Sequence, residues 1–145
     1  YKNAIICDPE LSDTDALGLV ENMLDILNMK KLYMNSGDHD VRVAYVSHIS
    51  HITSFSLALS VLDKEKEEKN ITALAGGGFE STVRLAKSNS ETWAPIFLEN
   101  AGPILEVVDN YIEKMKLFKQ FIEENDVESL KGLMEEANKI KKILH

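Results

Sequence analysis

Three histidines, a serine and an arginine are the groups in this chain best placed by type and spacing to do chemistry: His39, Ser47, His48, His51 and Arg84. His48 and His51 fall in "YVSHISHITSFSLAL", residues 45–59, a run that is otherwise mostly small, apolar or hydroxylated. On a helix Ser47, His48 and His51 occupy neighbouring parts of one face. Such imidazoles admit three readings: polar groups satisfied inside a core, metal ligands, or hydrogen-bond donors to an anionic substrate. A metal site needs three or four ligands and supporting partners. His39, His48 and His51 supply three, but their spacing matches no zinc pattern and the single cysteine, Cys7, is far away. No metal is expected. Arg84, in the otherwise apolar "TVRLA", adds a fixed charge whose planar fork matches a carboxylate through two parallel hydrogen bonds. Its alternative is a surface arginine laying its stem along apolar neighbours. Trp93 reads as a core or interface anchor.

The elements that must position these groups follow from periodicity and breakers. "AIICDPE" reads as a strand entering a turn, "SDTDALGLVENMLDILN" as a helix with acidic residues at its start, and "KKLYM" as a second strand. From Ser36, a plausible N-cap, a long helix is expected to about Asp63, followed by a charged end in "KEKEEK". "AGGGF", residues 75–79, is expected to break regularity, because consecutive glycines cost backbone entropy inside a helix. It lacks the GxGxxG spacing and the preceding strand of a dinucleotide fingerprint. Ser90 is the expected cap of a helix running to about Asn125. Pro95 is tolerated near its start, and a kink or break is expected at Pro103. Asp126 caps a last amphipathic helix. The stripe Ile104, Val108, Tyr111, Ile112, Met115, Phe118 and Ile122 is wide for the outer helix of a monomer, and burial against a second chain is the natural solution. The expected architecture is mainly α. Residues 1–35 form a strand–helix–strand piece at the end of an α/β layer, and residues 36–145 form a helical domain.

Composition bounds the function. The net charge of −8 argues against nucleic acid, which would select a basic face. No apolar run approaches the roughly 20 residues of a membrane helix. One cysteine excludes an internal disulfide and fits a reducing cytoplasm. Cys7, in an apolar run, is expected to be a buried, inert thiol. A first strand with almost nothing before it cannot stand alone, so the chain is expected to begin partway through a larger protein.

Taken together, "HDVRVAYVSHISH" and "AGGGFESTVRLAKSNSETWAPIFLEN" resemble the prephenate dehydrogenase family of tyrosine biosynthesis. The order and spacing, including the interval from His51 to Arg84, are similar to the family's C-terminal helical region. The resemblance extends over nearly the whole chain and is densest from His39 to Asn100. It implies an NAD-dependent oxidative decarboxylation of prephenate, a dicarboxylate, to 4-hydroxyphenylpyruvate. It implies that Arg84 binds a substrate carboxylate, that His39 and His51 line the same cleft, and that Ser47, His48 and Trp93 support them. It further implies a homodimer through the C-terminal helices. The strand–helix–strand then looks like the last piece of a Rossmann-type domain, while the cofactor fingerprint and the catalytic residue lie in a part of the protein that this chain does not contain. Three departures stand out, one of them the "GPI" around Pro103, which breaks a helix that the family resemblance implies is smoother. The family often has "HLPH" where this chain has "HISH", with Ser50 in place of proline. An acidic residue common shortly before the arginine is here Ser81.

Two other readings compete. Arogenate dehydrogenase would take an amino acid in place of the keto acid. A non-catalytic helical dimerisation module would leave His39, His51 and Arg84 scattered or tied up in packing.

Overall fold

A computed structural model of the chain describes residues 2–144. It is mainly helical, with a short parallel two-stranded sheet near the N-terminus. Strand β1 (Asn3–Cys7) and strand β2 (Lys30–Met34) pair in parallel register from Asn3 opposite Lys30 to Cys7 opposite Met34. The crossover is helix α1 (Thr14–Ile26), as parallel pairing requires a long connection. Asp13 caps α1 by accepting the Ala16 N–H at 2.9 Å. Asn28 ends the helix turn with φ 54°, while Met29 N–H donates to Leu24 C=O and Asn28 N–H to Asp25 C=O. That pair of bonds is the Schellman arrangement, and asparagine tolerates the left-handed conformation it needs. Cys7 is half-buried, not fully enclosed as its apolar run implied, because its strand lies in a sheet of only two strands among the described residues.

Asp8 couples the sheet to the helices after it. Its backbone is left-handed (φ 47°), its N–H donates to Met34 C=O at 3.0 Å, and its carboxylate accepts the Ser36 N–H at 3.0 Å. Helix α2 (Ser36–Val43) therefore starts at a fixed place beside the ends of both strands. Its cap is Asn35, whose side chain accepts the Asp38 N–H at 2.7 Å, so the expected cap at Ser36 is one residue late. Ser36 N–H is already taken by Asp8, and Asn35 has the extended backbone (ψ 157°) that a cap needs.

The long helix forms, but it is not uniform. Between α2 and helix α3 (Ile49–Glu67) the residues Ala44–His48 make a π turn, in which Ile49 N–H reaches back five residues to Ala44 C=O. An uninterrupted helix would put His39 and His48, nine residues apart, on opposite sides at about 100° per residue. The extra residue of a π turn rotates everything after it back by about 100°.

After α3 the glycine run does not interrupt a helix; it begins one. Gly76 is the N-cap position of helix α4 (Gly77–Thr82). Gly77 and Gly78 occupy the first turn, no glycine has positive φ, and no protein atom crowds the positions their side chains would fill. A 3₁₀ turn, Arg84–Lys87, comes next. Helix α5 (Ser90–Glu99) is capped by Asn89, which accepts the Glu91 N–H at 2.8 Å, one residue before the expected Ser90. The break expected at Pro103 falls at Asn100 instead, between α5 and helix α6 (Ala101–Glu123). The shift has a simple cause. Pro103 has no N–H, and restarting the helix at Ala101 puts it in a first turn, where no such donor is needed. Asp126 caps helix α7 (Val127–Asn138) as expected, accepting the Ser129 N–H at 3.0 Å.

The chain divides into two compact units, residues 1–104 and 105–145. His39, Ser47, His48, His51, Arg84 and Trp93 all lie in the first. No helix among the described residues is long and apolar enough to cross a membrane.

Candidate functional site

The N-terminal half of the long helix and the end of α5 enclose a cleft of about 430 Å³. α2 contributes His39, Asp40 and Val43, the π turn contributes Ser47 and His48, and Ile96, Glu99 and Asn100 close the other side. His39 and His48 share this cleft because the π turn cancels about half of the rotation that would have separated them.

The hydrogen bonds define what each imidazole offers. His39 Nδ1 lies 3.0 Å from Asp40 Oδ1. A carboxylate only accepts, so Nδ1 carries the proton and Nε2 of the neutral ring is an acceptor. His51 Nδ1–H likewise donates to the Ser47 carbonyl at 3.2 Å. His48 Nδ1 lies 3.1 Å from the Asn100 side-chain amide nitrogen. His48 and His51 are both buried, at 8% and 9% exposure. Burial lowers the His48 pKa below its ordinary value, and the neighbouring His51 lowers it further, while Asp40 opposes them.

Trp93, on α5, sits against both rings. It stacks on His51 with centroids 3.4 Å apart and 26° between planes, and meets His48 edge-on at 6.0 Å and 78°. Phe97, one turn on, packs against Trp93 at 5.6 Å. His51 is thus clamped between its own backbone and an indole, and Trp93 joins α5 to the π turn and α3.

Of the residues singled out in the sequence, His39, Ser47 and His48 line the cleft, and His51 and Trp93 stack together beside His48. Arg84 does not line this cleft. It is exposed at the start of the 3₁₀ turn, and no ion pair joins it to another described residue. Its turn is nevertheless tied to α3. Ser54, 1% exposed, donates through Oγ to Thr82 C=O at 2.9 Å and accepts the Ala86 N–H at 3.0 Å. Ser54 lies one turn beyond His51 on the same face. Ser81 donates through Oγ to Gly78 C=O within its own helix at 2.9 Å.

Sequence reasoning missed Asn100, Ser54 and the cleft-lining carboxylate Glu99. Ser54 had a signal: it continues the 47–51–54–58–61 stripe, where a small polar group must find a partner. Asn100 had none, because its role depends on meeting Asp40 and His48, more than fifty residues away. Among the described residues no cluster of three or more His, Cys, Asp or Glu is gathered as for a metal.

The β1–α1–β2 unit does not fit the phosphate site of NAD. No glycine lies between Cys7 and Thr14. The N-terminus of α1 is occupied by the Asp13 carboxylate, with Asp15 in its first turn, where a pyrophosphate would need free N–H groups.

Comparison with known proteins places this geometry in context. Residues 35–136 match the family described as prephenate dehydrogenase, dimerization domain. The chain is 28% identical over 132 residues to the prephenate dehydrogenase of Bacillus subtilis, covering 90% of this chain and 36% of that protein. It is 31% identical over 107 residues to the cyclohexadienyl dehydrogenase of Zymomonas mobilis, covering 73% of this chain and 36% of that one. The crystal structure of prephenate dehydrogenase from A. aeolicus, in complex with hydroxyphenyl propionate and NAD+, superposes with a TM-score of 0.83 at 27% identity, over 96% of this chain and 48% of that one. The chain therefore spans about a third of the length of the curated relatives it matches. On the match across residues 35–136, it belongs to the prephenate dehydrogenase dimerization-domain family.

Proposed function

We propose that this chain is the substrate-binding and dimerising part of an NAD-dependent prephenate dehydrogenase, which oxidatively decarboxylates prephenate to 4-hydroxyphenylpyruvate. The observation that carries the reading is the cleft lined by His39, Ser47 and His48, in a chain whose family match covers the same residues. The residues here bind and orient. The hydride acceptor is held by residues outside this chain, since the N-terminus of α1 presents carboxylates where its phosphates would bind.

The roles follow from the donors and acceptors present. His39 offers an acceptor nitrogen at the cleft and Ser47 a hydroxyl. Arg84, free of ion pairs with described residues, supplies the cation for one substrate carboxylate. The Ser54 bonds hold its turn against α3, so the guanidinium starts from a fixed backbone. Asp40 and Glu99 make the cleft itself no anion sink, which is why a separate arginine is needed for a dianion. His51, stacked on Trp93, shapes the wall.

In this reading residues 1–35 are the end of a Rossmann-type layer and residues 36–145 the helical domain; a family match that begins at residue 35 supports it. Homodimerisation through α6 and α7 is supported by the family's description and by Tyr111, Ile112, Met115 and Ile122, all more than 40% exposed on α6.

The test is turnover of prephenate and of arogenate, side by side, by the full-length protein with NAD. Prephenate is expected to be the better substrate by kcat/KM. Preference for arogenate would move the reading to that enzyme, and turnover of neither would leave a dimerisation module.

A further inference from the structure

We propose that Asn100 is a positioning residue that holds His48 as the neutral Nε2–H tautomer, so that the cleft offers one imidazole that donates beside one, His39, that accepts. Asn100 is 8% exposed and stands at the break between α5 and α6. Its amide nitrogen donates to Asp40 C=O at 2.8 Å and lies 3.1 Å from His48 Nδ1. A carbonyl oxygen can only accept, so the group facing Asp40 is the NH2 and not the amide oxygen. That leaves its second hydrogen for His48 Nδ1, which must then be the bare, accepting nitrogen.

The proton of the neutral ring sits on Nε2. The hydrogen bond between His48 and Asn100 runs through Nδ1. No buried side-chain polar atom is orphaned among the described residues, so Nε2 is not sealed away without a partner, and the ring lines the cleft. Protonating Nδ1 would set two donors against each other. The ring is therefore kept neutral by the amide as well as by burial. The other titratable groups facing it are His39 and Asp40 on α2, His51 on α3 and Glu99 on α5. Of the groups that act on its charge, Asp40 favours the charged ring, whereas His39 and His51 oppose it.

His39 shows the opposite pattern, with Nδ1 protonated against Asp40 Oδ1 and Nε2 accepting. A hydroxyl-bearing substrate could donate to one ring and accept from the other. This consequence rests on the cleft being the substrate site; the tautomer of His48 does not.

The test is the ¹⁵N–¹H correlation spectrum of the histidine side chains in the whole chain, assigned residue by residue and followed with pH. Wild-type His48 is expected to show a bare, pyridine-like Nδ1 and a protonated Nε2 at neutral pH, with a titration midpoint below the ordinary histidine value. Asn100→Asp puts an accepting carboxylate at Nδ1. It is expected to move the proton to Nδ1 and raise the midpoint by about one to three pH units. A wild-type proton on Nδ1, a ring charged at neutral pH, or an N100D spectrum identical to wild type would each overturn the assignment. Should N100D not fold, the wild-type spectrum decides alone. Failure of the full-length protein to turn over prephenate would remove the functional reading and leave this result untouched.

Discussion

His48 carries the sharpest consequence of any single residue. Its folded pKa lies below the ordinary 6.5, chiefly through burial, so the unfolded chain binds the proton more readily than the folded one. The sign is then fixed: its contribution to stability is complete above about pH 6.5 and is lost as pH falls through the folded value. Urea midpoints measured from about pH 7 down to about 5.5 should fall in the wild type, and His48→Gln should flatten that slope. A wild-type midpoint that is level or rising over this range would contradict it. The residue types at this site were legible in the sequence. "SHISH" and "TVRLA" flagged His48, His51 and Arg84 because polar groups in apolar runs need partners. What they could not disclose was which partner each would find. His51 meets an indole from 42 residues away, and His48 meets an amide 52 residues away. No local pattern encodes such contacts.

Among the elements, the π turn and the Ser54 tether do the positioning. Ser54 joins Thr82 C=O and Ala86 N–H, and so fixes both ends of the segment that carries Arg84. Ser54→Ala would take this donor from Thr82 C=O and leave Ala86 N–H only its 3.0 Å bond to Val83 C=O. The expected cost is about 1–3 kcal/mol of stability, read by denaturant titration, together with a weaker hold on any ligand of Arg84. Ser54→Cys, which keeps a poor donor and acceptor, should fall between. An unchanged midpoint in Ser54→Ala would show that water replaces the hydroxyl. Strands, helices and most ends could be read from period and breakers, with caps at Asn35 and Asn89 each one residue earlier than expected. The helix break slid from Pro103 to Asn100 because a proline dictates what precedes it. The π turn was invisible, since no breaker marks it; its two ends, Ala44 and His48, are both buried.

Across the molecule, the chain combines a buried polar cluster with an exposed apolar helix face. Tyr111, Ile112, Met115 and Ile122 on α6 expose an area that one protomer alone would leave in water. The isolated chain is expected to sediment as a dimer, and Ile112→Glu with Met115→Glu to yield monomers; a wild-type monomer at micromolar concentration would contradict this. The isolated chain is also expected not to reduce NAD with prephenate, since α1 presents carboxylates where a pyrophosphate would sit. The proposed function turns on the helical part of this protein binding a dianion with Arg84 as its cation. The decisive comparison is kcat/KM for prephenate in the full-length protein with and without Arg84→Ala. Loss of one partner of a desolvated charge pair predicts a fall equivalent to about 2–4 kcal/mol, roughly 30- to 1,000-fold. Unchanged kcat and KM would contradict that role for Arg84.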